Sequence, residues 1–194
     1  MPTNPDPLAF GTFYHIFNRG NNQENVFIQE RNYAYFMELW WKHTSRIAET
    51  YAYSLLKNHF HATGYIKNKE ELSGLNLKEP SQYFANFFNA YTRGVNIATG
   101  RSGALFETPF KRIPVTDERY LMRLIVYIHQ NPQKHAFVED FRDWNYSSYH
   151  DLIGNAPTRL QRDKMMELFG SREDFIRIHQ EIQPFDFDDE EESP

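Results

Sequence analysis

The chain has 194 residues, 40% of them hydrophobic and 16% aromatic, enough to bury one sizeable core and, by the usual size of domains, to form one domain. It has no cysteine, which excludes a disulfide framework, a thiolate metal site and a cysteine nucleophile. The net charge of −5 argues against a nucleic-acid partner until its distribution is read: Asp186, Asp188, Asp189, Glu190, Glu191 and Glu192 supply six negative charges, and the chain up to Phe185 stands at +1.

From Thr12 to Asn18 the run TFYHIFN is aromatic and β-branched, a strand that leads into the Gly-Asn-rich loop 19–25. Between Gln29 and Arg46, Tyr33, Phe36, Met37 and Trp40 recur at helical spacing and predict an amphipathic helix. Thr50–Leu56 alternates, and Lys57-Asn58 separates it from a second alternating run, which predicts a β-hairpin. In that second strand His59, His61, Thr63 and Tyr65 share one face, and Phe60, Ala62, Gly64 and Ile66 share the other. Two neighbouring imidazoles on a polar face can hold a divalent metal or stand as hydrogen-bonded surface groups, and the strand alone leaves both readings open.

Ser81 is placed to cap a second helix, whose Tyr83, Phe84, Phe87, Phe88 and Tyr91 form an aromatic stripe read as core packing. Residues 101–115 mix small, apolar and basic residues with two prolines and predict short or irregular extended structure. Asp117 begins a third helix, which Asn131-Pro132 is expected to close. Its apolar stripe is Leu121, Leu124, Ile125 and Ile128, and Tyr120, Tyr127 and Asn131 run along one border. Tyr127 and Asn131 are one turn apart, so an amide oxygen stands beside a phenol. That pair can complete a metal site with the two histidines; equally, Tyr127 can be a rim residue and Asn131 a helix C-cap.

Arg162–Phe169 and Glu173–Ile182 read as two short helices separated by Gly170-Ser171. The division expected is a main domain over 1–155, a short helical extension over 156–185 and an acidic disordered tail over 186–194. No basic segment followed by an apolar stretch opens the chain, and no run reaches membrane-spanning length. A soluble cytoplasmic protein with no membrane partner is expected. The order strand, helix, strand, strand, helix, strand, helix predicts an α+β fold of ferredoxin-like type, an antiparallel sheet of about four strands with helices packed on one face. The other face is expected to stay open and to display His59 and His61.

Five blocks, YHIFNRGN (14–21), NHFHATGYI (58–66), LFETPFKR (105–112), YIHQNP (127–132) and DWNYSSY (143–149), occur in this order. Together they resemble the tyrosine transposase family of the IS200 type, and more closely its branch of REP-associated tyrosine transposases, single-tyrosine enzymes of the HUH endonuclease class. By this resemblance His59 and His61 occupy the two histidine positions of the HUH motif, with Phe60 as its hydrophobic middle residue. Tyr127 matches the family's nucleophile, and Asn131 falls where relatives often carry a Gln or Asn as a further metal ligand. His129 and Gln130 depart from the apolar and aromatic residues common there, on the opposite side of the helix.

The resemblance implies an enzyme that nicks and transfers single-stranded DNA through a 5′-phosphotyrosine intermediate, with Mg²⁺ or Mn²⁺ as the metal. Tyr120, two turns earlier, is the second candidate nucleophile. Single-stranded DNA, or a hairpin with a single-stranded flank, is the implied partner. Arg19, Arg93, Arg101, Lys111 and Arg112, read as loop or extended residues near the blocks, are candidates for phosphate contact, and Tyr14 and Phe106 for base stacking. Two other readings stand beside this one: a domesticated, non-catalytic hairpin-binding module, and an HUH replication initiator or relaxase. Relatives include monomers and homodimers, so the sequence leaves the oligomeric state open.

Overall fold

The computed structural model describes residues 7–182, so the acidic run 186–194 lies outside the described residues. Strands β1 (Thr12–Arg19), β2 (Ala48–Leu55), β3 (His59–Ile66) and β4 (Lys111–Pro114) form one antiparallel sheet in the order β2-β3-β1-β4. With helices α1 (Arg31–Thr44) and α2 (Pro80–Thr99) they follow the β-α-β-β-α-β order of a ferredoxin-like unit. Helices α3 (Glu118–Lys134), α4 (Tyr149–Ile153), α5 (Arg162–Phe169) and α6 (Arg172–Glu181) come after it. The α+β class and the four antiparallel strands are those the sequence predicts. Among the described residues no helix is long and apolar enough to cross a membrane.

Strand alternation sorts the sheet into two unlike faces. Ile16, Phe60, Ala62 and Ile66 enter a cluster with Phe36 and Trp40 of α1 and Phe84, Phe87 and Tyr91 of α2. Phe36 meets Phe60 and Phe87 edge-on, with ring centroids 4.9 and 4.8 Å apart. Such pairs contribute roughly 0.5–1.5 kcal/mol each beyond the area they bury. The aromatic stripe of α2 is therefore core, as its spacing implies.

The opposite face is not open, and helices cover both faces rather than one. Leu121, Leu124, Ile125 and Ile128 of α3 pack with Tyr51 and Ala52 of β2, and Phe13 and Tyr65 join from the sheet. Leu152, Leu160, Met165, Phe169 and Phe175, from α4 to α6 and the segment between, close this second cluster from outside. The cause is the apolar stripe of α3 itself, which needs a surface to bury against; the tyrosines and Phe13 supply one over half of the sheet. The half nearer His59 and His61 stays polar.

Two helix ends differ from expectation. Pro80 occupies the first turn of α2 and Ser81 makes no cap; its hydroxyl lies 3.5 Å from the Leu8 amide instead. Asp117 caps α3 as predicted, its carboxylate accepting the Tyr120 N–H at 2.8 Å. The helix then runs through Pro132 to Lys134. Pro132 is buried and lies in the final turn, where the lost N–H removes one hydrogen bond and packing outweighs that loss. Gly20 ends β1 because the Glu24 carbonyl lies where its Cβ would stand, 2.1 Å away, and this close turn brings Gln23 to the rim of the cavity described next.

Candidate active site

A cavity of about 290 Å³ opens where β1 and β3 meet the end of α3, lined by Phe17, Arg19, His59, His61, Lys111 and His135 among others. The antiparallel register of β1 and β3 sets His61 opposite Phe17 and His59 opposite Arg19. His15, two residues before Phe17, shares that face of β1. His61 is buried, 2% exposed, and its Nδ1 lies 2.9 Å from His15 Nε2. The rings of His15, Phe17 and His61 stack with centroids 4.5 to 5.5 Å apart. Engagement of Nδ1 fixes the orientation of the ring.

His59 is oriented in the same way, by its neighbour Asn58, whose Oδ1 accepts from Nδ1 at 2.8 Å. In the neutral ring Nε2 then carries a lone pair. That nitrogen faces Asn131 Oδ1 at 3.2 Å. Two acceptors at this distance repel unless a cation lies between them or the amide is turned. The separation suits two ligands of one small divalent ion, which at metal–ligand distances near 2.1 Å lie about 3 Å apart. Asn131 is fully buried, and its Nδ2 has no hydrogen-bond partner among the described residues. A buried amide donor left without an acceptor costs roughly 1–3 kcal/mol, which an acceptor atom on a bound ligand, such as a phosphate oxygen, would recover. Among the described residues no three His, Cys, Asp or Glu side chains converge as a metal cage. A metal at this point therefore needs the amide oxygen, and two imidazoles with one amide suit Mn²⁺ better than Mg²⁺, which favours oxygen ligands and would have to take the remaining ones from water and phosphate.

Tyr127 stands one turn before Asn131 on α3, buried to 3% exposure. Its ring lies 5.6 Å from that of His61 at 82°, and 6.4 Å edge-on from that of His15. One further turn along the same side come Lys134, whose Nζ sits 5.3 Å from the Tyr127 ring centroid, and His135, 5.0 Å from the His59 ring. The end of α3 and its cap thus set a phenol and an amide against the two histidines, an ammonium against that phenol, and the His135 imidazole on the cavity wall. The phenol, the amide and both histidines come from one chain.

The cationic candidates separate. Lys111 lines the cavity, its Nζ 5.8 Å from the Phe17 ring. Arg19 also lines it, but its Nε is paired with Glu107 Oε1 at 2.6 Å, so a phosphate would compete with a carboxylate there. Arg112 points to the other side of β4, over the Phe110 ring at 4.7 Å, into a groove with α2. Arg93 is not in a loop or extended segment: it sits in the middle of α2, exposed, on the far side of the sheet. Arg101 does not line the cavity and is paired with Glu24 at 2.7 Å.

The other aromatics take structural places. Tyr14 and Phe106 are buried in the α1/α2 cluster, which withdraws them from base stacking. Tyr120 is half-buried and does not line the cavity. Sequence reasoning missed His15, Asn58, Glu107, Lys134 and His135. His135 was findable, since it follows Tyr127 and Asn131 at helical spacing; His15 was not, because its contact depends on strand register.

No family model matches the chain. In sequence it is similar to a Haemophilus influenzae protein (strain ATCC 51907 / DSM 11121 / KW20 / Rd) that carries the name of the REP-associated tyrosine transposases, 26% identical over 127 residues, covering 59% of this chain and 72% of that one. In structure it is similar to a REP-associated tyrosine transposase solved bound to a REP hairpin, with a TM-score of 0.64 at 16% identity, over 81% of this chain and 88% of the other. The structural likeness is one of fold. The chain thus resembles the REP-associated tyrosine transposases both in the order of its sequence blocks and in the fold that carries them.

Proposed function

We propose that this protein is a transposase that nicks and rejoins single-stranded DNA, or DNA with a hairpin and a single-stranded flank, using Tyr127 as nucleophile. The observation that carries the reading is that Tyr127 packs against His61 and Asn131 meets His59, beside a cavity that both histidines line. His59, His61 and Asn131 would hold Mg²⁺ or Mn²⁺, which when bound polarises the scissile phosphate and offsets its developing charge. Tyr127 Oη attacks phosphorus, the bond to the 3′-oxygen breaks, and a 5′-phosphotyrosine and a 3′-hydroxyl result. The phenol loses one proton and the 3′-oxygen gains one. The new ester conserves the phosphodiester, so a second 3′-hydroxyl can reverse the step without a nucleotide cofactor.

His15 and Asn58 keep the two imidazoles in place, Lys111 brings positive charge to the cavity and Lys134 to the Tyr127 ring, and burial of Tyr127 limits access of water. The site needs no residue from a second copy, which favours a monomer. The test is incubation with Mn²⁺ and single-stranded DNA from both flanks of the protein's own gene, followed by mass spectrometry. The expected outcome is a protein–DNA adduct on Tyr127 that disappears with EDTA. Tyr127→Phe should lower adduct formation more than about a thousandfold while leaving hairpin binding intact. Tight hairpin binding by the wild type with no adduct under any metal would make the protein a non-catalytic binding module. An adduct on Tyr120 would keep the chemistry and replace the nucleophile.

A further inference from the structure

The side of α3 that faces away from the cavity carries His129 and Gln130, and both grip α6. His129 is fully buried, with Nδ1 2.8 Å from His179 Nε2 and Nε2 2.8 Å from Ser148 Oγ. His179, also fully buried, has its Nδ1 2.7 Å from the Phe175 carbonyl. A carbonyl only accepts, so His179 Nδ1 carries the proton and donates. In the neutral ring Nε2 then accepts, from His129 Nδ1–H. His129 Nε2 in turn accepts from the Ser148 hydroxyl, and Ser148 Oγ accepts the Tyr53 backbone N–H at 2.8 Å. Ser148 Oγ also lies 3.2 Å from the Tyr53 carbonyl, but its single proton is committed to the shorter contact with His129.

The result is four hydrogen bonds running in one direction, from the Tyr53 N–H through Ser148, His129 and His179 to the Phe175 carbonyl. Burial holds the His179 ring down to about 4, so at neutral pH the neutral form this chain requires is the one present. Gln130 adds a clasp: its Nε2 donates to the carbonyls of His179 and Ile182, both at 2.8 Å, which are groups a helix end leaves unpaired.

What the chain connects gives it meaning. Tyr53 pairs with Ala62 on β3, one residue from His61. His129 and Gln130 lie on α3 between Tyr127 and Asn131. One end is thus tied to β2, the neighbour of the histidine strand, and the middle to the helix that carries the phenol and the amide. Apolar packing fixes how close α3 lies to the sheet but is indifferent to small rotations, whereas hydrogen bonds are directional.

We propose that His179 of α6 is a positioning residue, which through His129 and Ser148 sets the rotation of α3 so that Tyr127 and Asn131 meet His59 and His61. This rests on the reading of those four residues given above. His179 touches neither substrate nor metal; it acts through α3. Among its substitutes, Gln can place an acceptor near the Nε2 position, Asn only near Nδ1, and Phe neither.

The experiment compares His179→Gln, His179→Asn and His179→Phe with wild type in thermal stability, DNA half-saturation, rate of adduct formation and amide hydrogen exchange. His179→Gln should form adduct within about threefold of wild type. The Asn and Phe variants should lose about tenfold or more in rate, with half-saturation within about twofold. In those two, exchange should speed up over residues 127–131 while β3 stays as in wild type. Ser148→Ala breaks the same chain at another link and should behave like the Phe variant, which keeps the test open where His179→Phe fails to fold. Wild-type rates in the Asn and Phe variants would overturn the proposal, and so would a loss that only follows the fraction unfolded, or a Gln variant no better than Asn. A wild type that forms no adduct with any metal would overturn the catalytic reading alone, and the exchange pattern would still decide whether His179 positions α3.

Discussion

Phe60 and His61 are neighbours on β3, yet they meet unlike surroundings. Phe60 is fully buried in an aromatic layer, meeting Phe36, Trp40 and Phe106 edge to face and Phe88 at a tilt. His61 is almost as buried, but against His15, Phe17 and Tyr127, and its place is set by a hydrogen bond as much as by packing. The first layer tolerates small slips because dispersion and apolar burial have little direction. The second does not, since each imidazole has two specific nitrogens to satisfy. One sheet therefore carries an apolar face fixed by packing and a face whose imidazoles are fixed by hydrogen bonds.

The contrast can be broken from either side. Phe60→Ala should cost about 3–5 kcal/mol in urea unfolding, because it opens a cavity in the aromatic layer. If it costs no more than a surface change, that layer is not the main source of stability. Acid attacks the other side. His179 has a folded pKa of about 4 against 6.5 for the ordinary group, so the unfolded chain takes up the proton first as pH falls. Its contribution is whole above pH 6.5 and is lost between 6.5 and 4, about 3 kcal/mol in all. His129 on α3 and Tyr149 on α4 are the titratable groups packed against it, and the shift comes from burial, so salt should change the effect little. Stability that stays flat from pH 7 to 4 would contradict the buried neutral pair.

Smaller changes sharpen the comparison. His15→Phe keeps the stack with Phe17 but removes the bond to His61 Nδ1. It should weaken Mn²⁺ binding, read by calorimetry without DNA, by about 10- to 100-fold. Smaller again, Lys111→Ala should lower DNA affinity at low salt and reduce the slope of log affinity against log salt by about one, whereas Arg93→Ala should change neither. Equal effects of the two would mean that DNA lies across both faces.

Strand alternation and helical spacing in the sequence are enough to predict the sheet, α1, α2 and the Asp117 cap, because each rests on contacts within a few residues. His59, His61, Tyr127 and Asn131 are also visible there, as spacings whose meaning the family resemblance supplies. The remainder depends on contacts between distant segments. His15 reaches His61 only through the β1–β3 register, and the covering of the second face depends on residues from Leu152 to Phe175. The reading of Asn131-Pro132 as a helix stop left Lys134 and His135 aside, although helical spacing from Tyr127 and Asn131 points to His135; α3 runs on through the proline, which brings Lys134 to the Tyr127 ring and His135 to the cavity. His129 and Gln130, which depart from the resembled pattern, find their reason in α6, about fifty residues further along the chain.

That Tyr127 lies beside the histidines of its own chain has a consequence for mixtures. Two damaged copies, one lacking the phenol and one lacking His59, would each keep a half site that the other cannot complete. Mixed together, Tyr127→Phe and His59→Ala proteins would fail to complement. Activity per molecule of the intact protein would not fall on dilution, and a defective copy would act on the intact one only by competing for the same DNA.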